Sequence, residues 1–269
     1  MSVSDAVDGV RRPTIAVSRG RVAVLILACV QATSPLLFQL TGSSALDENQ
    51  VGEIAIVPAG YAFSIWGLVC VAGVVYGVWQ LRVGHRSDEV KDALMIPMGV
   101  AFSGFVLWLA AAASPWSALT VPIFAVMLGA LVVALRRLHL LPRSASLTRW
   151  GRVLTATMVG VFAGWTSAAV WVNLATVIAA HWPTEEWIAW CGQTAILAGA
   201  TATLCAIAAK TGAQVPYELA GAWALVGVAV GSASAGVPSL AGIAAAGLAV
   251  FVFVCFRTRR RNAGEAGQS

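Results

Sequence analysis

Eight long apolar runs, separated by short polar or charged stretches, divide the chain almost from end to end. They read Val22–Leu40, Val57–Leu81, Leu94–Ala113, Trp116–Leu135, Val153–Ala179, Trp187–Ala209, Tyr217–Ala235 and Leu240–Phe256. Most come near the ~20 residues an α-helix needs to cross a ~30 Å hydrocarbon core. The pattern predicts an all-α integral membrane protein with about eight transmembrane helices. The second and fifth runs are longer and are expected to tilt or protrude. The last is short and rich in Gly and Ala, which makes it the weakest span.

Charge tests this division independently of hydropathy. The basic residues are Arg11, Arg12, Arg19 and Arg21; Arg82, Arg86 and Lys91; Arg136, Arg137, Arg143, Arg149 and Arg152; Lys210; and Arg257, Arg259, Arg260 and Arg261. These are all 17 Lys and Arg residues, and the eight-span parse puts every one on the same side. The alternate loops carry only acids: Asp47, Glu48, Glu53, Glu185 and Glu186. A wrong span count would scramble this alternation. By the positive-inside rule the basic side is cytoplasmic, so both termini are expected there. The expected location is the inner (plasma) membrane, crossed many times. Ser43-Ser44-Ala45 allows a signal-peptide reading, but the apolar run before it is longer than a usual h-region. The first helix is therefore expected to be retained.

Composition agrees. The chain of 269 residues is 59% hydrophobic and only 11% charged, with a mean hydropathy of +0.81. That is too little charge to cover a soluble surface. The net charge of +5 follows from the cytoplasmic loops and does not point to nucleic acid.

The candidate chemistry is sparse. Cys29, Cys70, Cys191, Cys205 and Cys255 all fall inside spans with no metal-ligand spacing, so they read as small hydrophobes without disulfides or metal. His85, His139 and His181 lie in loops or at a helix end, which argues against an intramembrane haem held by axial ligands. No acid or base lies deep in a span, as ion-coupled transporters usually require. Glu218 comes closest, but it follows Pro216 in a first helical turn and reads as a complement to the helix dipole. No DDxxD, HExxH, GxSxG or P-loop is present. Catalysis by a standard nucleophile or metal is not expected, and no cofactor is assigned.

Eleven tryptophans remain to be explained. Trp79, Trp116, Trp150, Trp182, Trp187 and Trp190 fall at span ends and read as interfacial anchors. Trp66, Trp108, Trp165 and Trp171 lie deeper, and Trp223 is intermediate. Counted at 1.5 Å per residue from the outer ends, Trp66 and Trp171 lie roughly 12–14 Å down, Trp108 about 8 Å and Trp165 about 21 Å. A deep indole N–H needs a partner or a cavity, because lipid offers no acceptor. Phe162, Trp165, Ala169, Asn173 and Thr176 share one face of the fifth helix; Phe63, Trp66, Cys70, Gly73 and Gly77 share one face of the second. These faces could enclose a flat apolar ligand oriented by Asn173. Spacing alone favours the other reading, packing surfaces, since Gly73/Gly77, Gly160/Gly164 and Gly227/Gly231 are small-xxx-small pairs and Asn173 can bond between helices.

The segment Val57-Pro58-Ala59-Gly60-Tyr61-Ala62-Phe63-Ser64-Ile65-Trp66-Gly67-Leu68 resembles the second-helix signature of the TspO/MBR family, the tryptophan-rich sensory proteins or peripheral benzodiazepine receptors. Gly164-Trp165 through Asn173 is similar to that family's late Trp-x₇-Asn element. The resemblance covers roughly residues 20–181. It implies a five-helix bundle whose cavity binds tetrapyrroles and hydrophobic drug-like ligands, with sensing, transport or photo-oxidative porphyrin turnover as proposed roles. Carried over by position, Trp66 and Trp165 are aromatic walls, Ala169 leaves room for ligand, Asn173 is a polar contact, Trp108 matches the third-helix Trp, and Pro58–Phe63, including Tyr61, rims the mouth. Phe162 stands on the same fifth-helix face. Departures are Ala59 for the second proline, Phe105 for an expected Asn, Val161-Phe162 for Pro-Tyr, and no cholesterol-contact pattern after Asn173.

The expected division is a cytoplasmic tail over 1–21, a TspO-like five-helix bundle over 22–181, three additional helices over 187–256 and a basic cytoplasmic tail over 257–269. The leading expectation is a membrane receptor or carrier for a flat hydrophobic ligand such as a porphyrin or haem, with no covalent chemistry and no nucleic-acid partner. A secondary transporter of small hydrophobic metabolites, a light-dependent porphyrin-degrading activity and a purely structural role stand as alternatives. A homodimer is left open.

Overall fold

The computed structural model describes residues 18–40, 54–82, 88–140, 147–182 and 186–266. Eight helices fill most of that length: α1 (Arg19–Leu40), α2 (Ile65–Gln80), α3 (Asp88–Ala112), α4 (Thr120–Leu140), α5 (Arg149–His181), α6 (Glu186–Lys210), α7 (Val215–Ser234) and α8 (Pro238–Ala266). Each, with the short 3-10 turns before α2 and α4, is long and apolar enough to cross a membrane, and the described residues contain no strand. The chain is a multi-pass membrane protein. The loop acids Asp47, Glu48, Glu53 and Glu185, the bases Arg11, Arg12, Arg86 and Arg143, His85 and the Ser43–Ala45 stretch lie outside the described residues. So do the side chains of Glu186 and Trp187.

The centre of the bundle is α5. Of its most apolar window 78% is buried, against 22% for α1 and for α6. It packs on α2, α4, α6 and α7. Two glycines allow the closest of these approaches. A Cβ on Gly160 would lie 2.9 Å from the Tyr217 backbone nitrogen, and one on Gly164 would lie 2.5 Å from the Tyr217 carbonyl oxygen. Here the small-xxx-small pair does bring two helix backbones together.

The second span departs from its sequence reading. The run beginning at Val57 is not one long helix, because α2 starts only at Ile65, after a 3-10 turn over Gly60–Ser64. Irregular backbone at membrane depth is tolerated only where protein satisfies it, and α7 does this. Ala59 N–H donates to Gly227 O at 2.9 Å. Ser232 Oγ donates to Ala55 O at 2.8 Å and Trp223 Nε1 to Ala62 O at 3.0 Å, while from α6 Gln193 Oε1 accepts from Ile56 N–H at 3.2 Å. The Gly227/Gly231 pair is therefore not a helix–helix contact. It seats this segment: a Cβ on Gly231 would lie 2.2 Å from Val57 O, and one on Gly227 2.7 Å from Ala62 Cβ.

Proline inside α1 is handled the same way. Pro35 has no N–H to offer Gln31 O one turn back, and Ser34 Oγ donates to that oxygen at 2.8 Å, with Cys70 Sγ approaching from α2 at 3.9 Å. The last span, weakest in the sequence, forms one of the longest helices at 29 residues. Its residues up to Phe256 are mostly small and apolar, the helix runs on through the basic stretch from Arg257, and that end is tied down where Arg259 Nε donates to Glu218 Oε1 at 2.9 Å. Glu218 thus has a cationic partner as well as its place in the first turn of α7.

The basic end of the bundle contains a second correction. Trp79 is not an anchor at the lipid surface; it is 8% exposed, with its ring 2.5 Å from where a Gly151 Cβ would stand and Lys91 Nζ 5.0 Å from its centroid. Arg21, nominally a flanking charge, is buried and donates to Asp88 Oδ1 at 2.9 Å and Asp92 Oδ1 at 2.8 Å. Trp116, Trp150 and Trp182 are exposed, and Trp190 Nε1 donates to Ser239 Oγ at 3.1 Å.

Candidate functional site

Four helices and the irregular segment converge, in the half of the bundle away from the basic end, on one aromatic cluster. From α2 comes Trp66, from α3 Trp108 and Phe105, from α4 Phe124, and from α5 Phe162 and Trp165. The Trp66 ring lies 4.8 Å from Phe105, 5.4 Å from Trp108, 6.0 Å from Phe162 and 6.1 Å from Trp165, centroid to centroid. The Trp66–Trp165 planes meet at 85°, an edge-to-face contact. Phe63, at the end of the irregular segment, approaches Trp165 at 5.7 Å. Such pairs each contribute about 0.5–1.5 kcal/mol beyond the area they bury.

A cavity runs through this cluster. Its walls are Pro58, Phe63, Trp66, Trp108, Phe124, Trp165, Ala168, Ala169, Val172, Asn173 and Ala224. Seven of the residues expected from sequence are therefore together: Pro58, Phe63, Trp66, Trp108, Trp165, Ala169 and Asn173. Two are not on the wall. Phe162 is fully buried behind Trp66 and stacks on Phe102 at 6.4 Å. Tyr61 is 48% exposed, with its ring edge-on to Trp223 at 5.4 Å.

Phe124, Ala168, Val172 and Ala224 were not legible as wall residues. Phe124 was the one aromatic on an otherwise aliphatic α4, and Ala224 lies on α7, whose part in the site no motif announced.

The cavity is small in this conformation. Its free volume is about 30 Å³, room for one or two waters. A macrocycle does not fit in it.

The polar groups decide how the walls are held. Asn173 Oδ1 accepts from Trp108 Nε1 at 3.0 Å, and Asn173 Nδ2 donates to Ala169 O at 2.9 Å. The amide is therefore an interhelical tie as well as a wall residue. Trp171 Nε1 donates to Thr203 Oγ1 on α6 at 3.0 Å, facing away from the cavity. Trp165 differs from both. It is 2% exposed, and its indole nitrogen has no hydrogen-bond partner among the described residues. A buried N–H left in this state costs about 1–3 kcal/mol.

Among the described residues no cluster of His, Cys, Asp or Glu could hold a metal. Residues 20–257, spanning all eight helices, match the family model described as TSPO-like protein. No curated protein and no solved structure matches the chain.

Proposed function

Because this chain belongs to the TSPO-like protein family, we propose that it is a membrane receptor or carrier that binds a flat hydrophobic ligand of the tetrapyrrole class between α2, α3, α4 and α5. Family membership supports membrane-associated ligand binding or transport as the broad role. The observation that carries the finer reading is Trp165: a buried wall residue whose indole N–H has no partner among the described residues, in a cavity it shares with the rings of Phe63, Trp66, Trp108 and Phe124. Edge-to-face rings part at modest cost and re-form as a stack on a planar guest.

Opening falls to residues 54–64. That segment carries Pro58 and Phe63 and is non-helical before Gly60, and the hydrogen bonds above join it to α6 and α7 at only a few points. Displacing it widens the cavity without breaking a transmembrane helix. Binding by this route is reversible and involves no covalent step.

The test is a titration of protoporphyrin IX into purified protein, followed by tryptophan emission. Saturable quenching is expected, weakened in Trp165→Ala and Trp66→Ala. Equal quenching and affinity in both variants would remove the cavity from the account.

A further inference from the structure

A larger void lies on the other side of α5. Between α4 and α6, α5 shows Val170, Trp171 and Leu174 at the floor of an open groove of about 490 Å³. Apart from Trp171 and Thr203 its walls are aliphatic or glycine, and those two are joined by the Trp171–Thr203 hydrogen bond. Nothing in the groove asks for a polar guest. On α4, Gly129 leaves it deep, since a Cβ there would meet nothing within 4 Å.

The two flanking helices carry charge on the same stripes. Along α4 the groove positions Val121, Ala125, Gly129 and Val132 continue at helical spacing to Arg136. Along α6 Thr203 and Ile207 continue to Lys210. Both cations are exposed, about one turn beyond the groove at the basic end, and neither has an ion-pair or hydrogen-bond partner among the described residues. The neighbouring Arg137 points elsewhere, donating to Ala93 O on α3.

We propose that this groove is a site for an anionic phospholipid of the leaflet on the basic face, one acyl chain lying along Gly129 and Trp171 and the phosphate held between Arg136 and Lys210. Basic residues over an apolar slot between transmembrane helices form the combination that recognises acidic lipid head groups. A second copy of the chain fits less well. Two copies inserted in the same direction bring their basic ends together, and a two-fold contact sets Arg136 and Lys210 beside their own equivalents.

Native mass spectrometry of the full chain, released from bilayers of equal dioleoyl-phosphatidylglycerol and dioleoyl-phosphatidylcholine, tests this. Wild type is expected to retain the anionic lipid preferentially. Gly129→Leu, which fills the slot, is expected to lower retention of both lipids. Arg136→Gln with Lys210→Gln is expected to abolish the preference, by about fivefold for each charge, while the exposed Arg257→Gln leaves it intact. The proposal is overturned if Gly129→Leu retains lipid like wild type, if Arg257→Gln erases the preference equally, or if Gly129→Leu instead dissolves a dimer that survives delipidation. None of these readouts involves Trp66 or Trp165, so the site fails or stands independently of the central cavity.

Discussion

The guanidinium of Arg137 on α4 donates to the carbonyl of Ala93 on α3, the oxygen that Pro97, four residues on within α3, leaves without its helical N–H. A proline in the middle of a transmembrane helix frees one carbonyl, and here a cation from the next helix takes it. Two adjacent arginines are therefore unlike: Arg137 reaches α3, while Arg136 is exposed with no partner among the described residues.

The first prediction follows from that bond. Arg137→Gln should lower stability by about 1 kcal/mol, a charged hydrogen bond discounted for its exposure. In a Pro97→Ala background, where Ala93 O regains a helical donor, the same substitution should cost less. A double-mutant cycle in detergent unfolding measures the difference, and equal effects in both backgrounds would refute the pairing.

Arg21 should be far more sensitive than Arg136. Removing its charge as Arg21→Gln leaves Asp88 and Asp92 facing each other at the basic end, with Lys91 3.4 Å from Asp88 as a remaining cation. The expected loss is about 2 kcal/mol, less than a fully buried pair would give because Asp92 is half exposed. Arg136→Gln should stay within about 0.5 kcal/mol of wild type. Thermal unfolding of the two variants side by side checks the contrast.

Two glycine substitutions should go in opposite directions. Gly129→Ala adds a methyl into open space and improves helix propensity, so it should be neutral or stabilising by up to about 1 kcal/mol. Gly231→Ala drives a methyl into Val57 O and must push residues 54–64 off α7. It should cost about 1–3 kcal/mol and, by loosening that segment, speed protoporphyrin association. Stopped-flow quenching reads the rate. Slower association would count against this segment as the opening element.

The Trp108–Asn173 bond should couple weakly to stability and strongly to cavity shape. Interhelical hydrogen bonds in membranes average about 0.6 kcal/mol, so a cycle of Trp108→Phe and Asn173→Ala should give a coupling of that order. Asn173→Ala should also change ligand affinity, because the same amide lines the cavity. A coupling indistinguishable from zero would mean that the two side chains do not hold each other in the membrane.

Helix count, the alternation of basic loops and the tryptophans of the aromatic cluster were readable in the sequence. Each depends on a local rule: twenty apolar residues span lipid, charges stay on one side, and residues three and four apart share a helix face. What those rules do not contain is the neighbour across the bundle. Trp79 reads as an anchor by position, yet it is buried because Gly151 on α5 leaves a place for its ring. Gly227 and Gly231 read as a helix-packing pair, yet they seat an irregular segment that periodicity had assigned to helix. Asn173 could have met either a ligand or a partner helix; the position of Trp108 gives it a bond across the bundle, and it also stands on the cavity wall. Hydrophobicity is proportional to area and blind to direction, so the sequence determines which surfaces leave water. Directed contacts, such as a freed carbonyl finding Arg137 or an amide finding an indole, form only once α5 brings its neighbours into register.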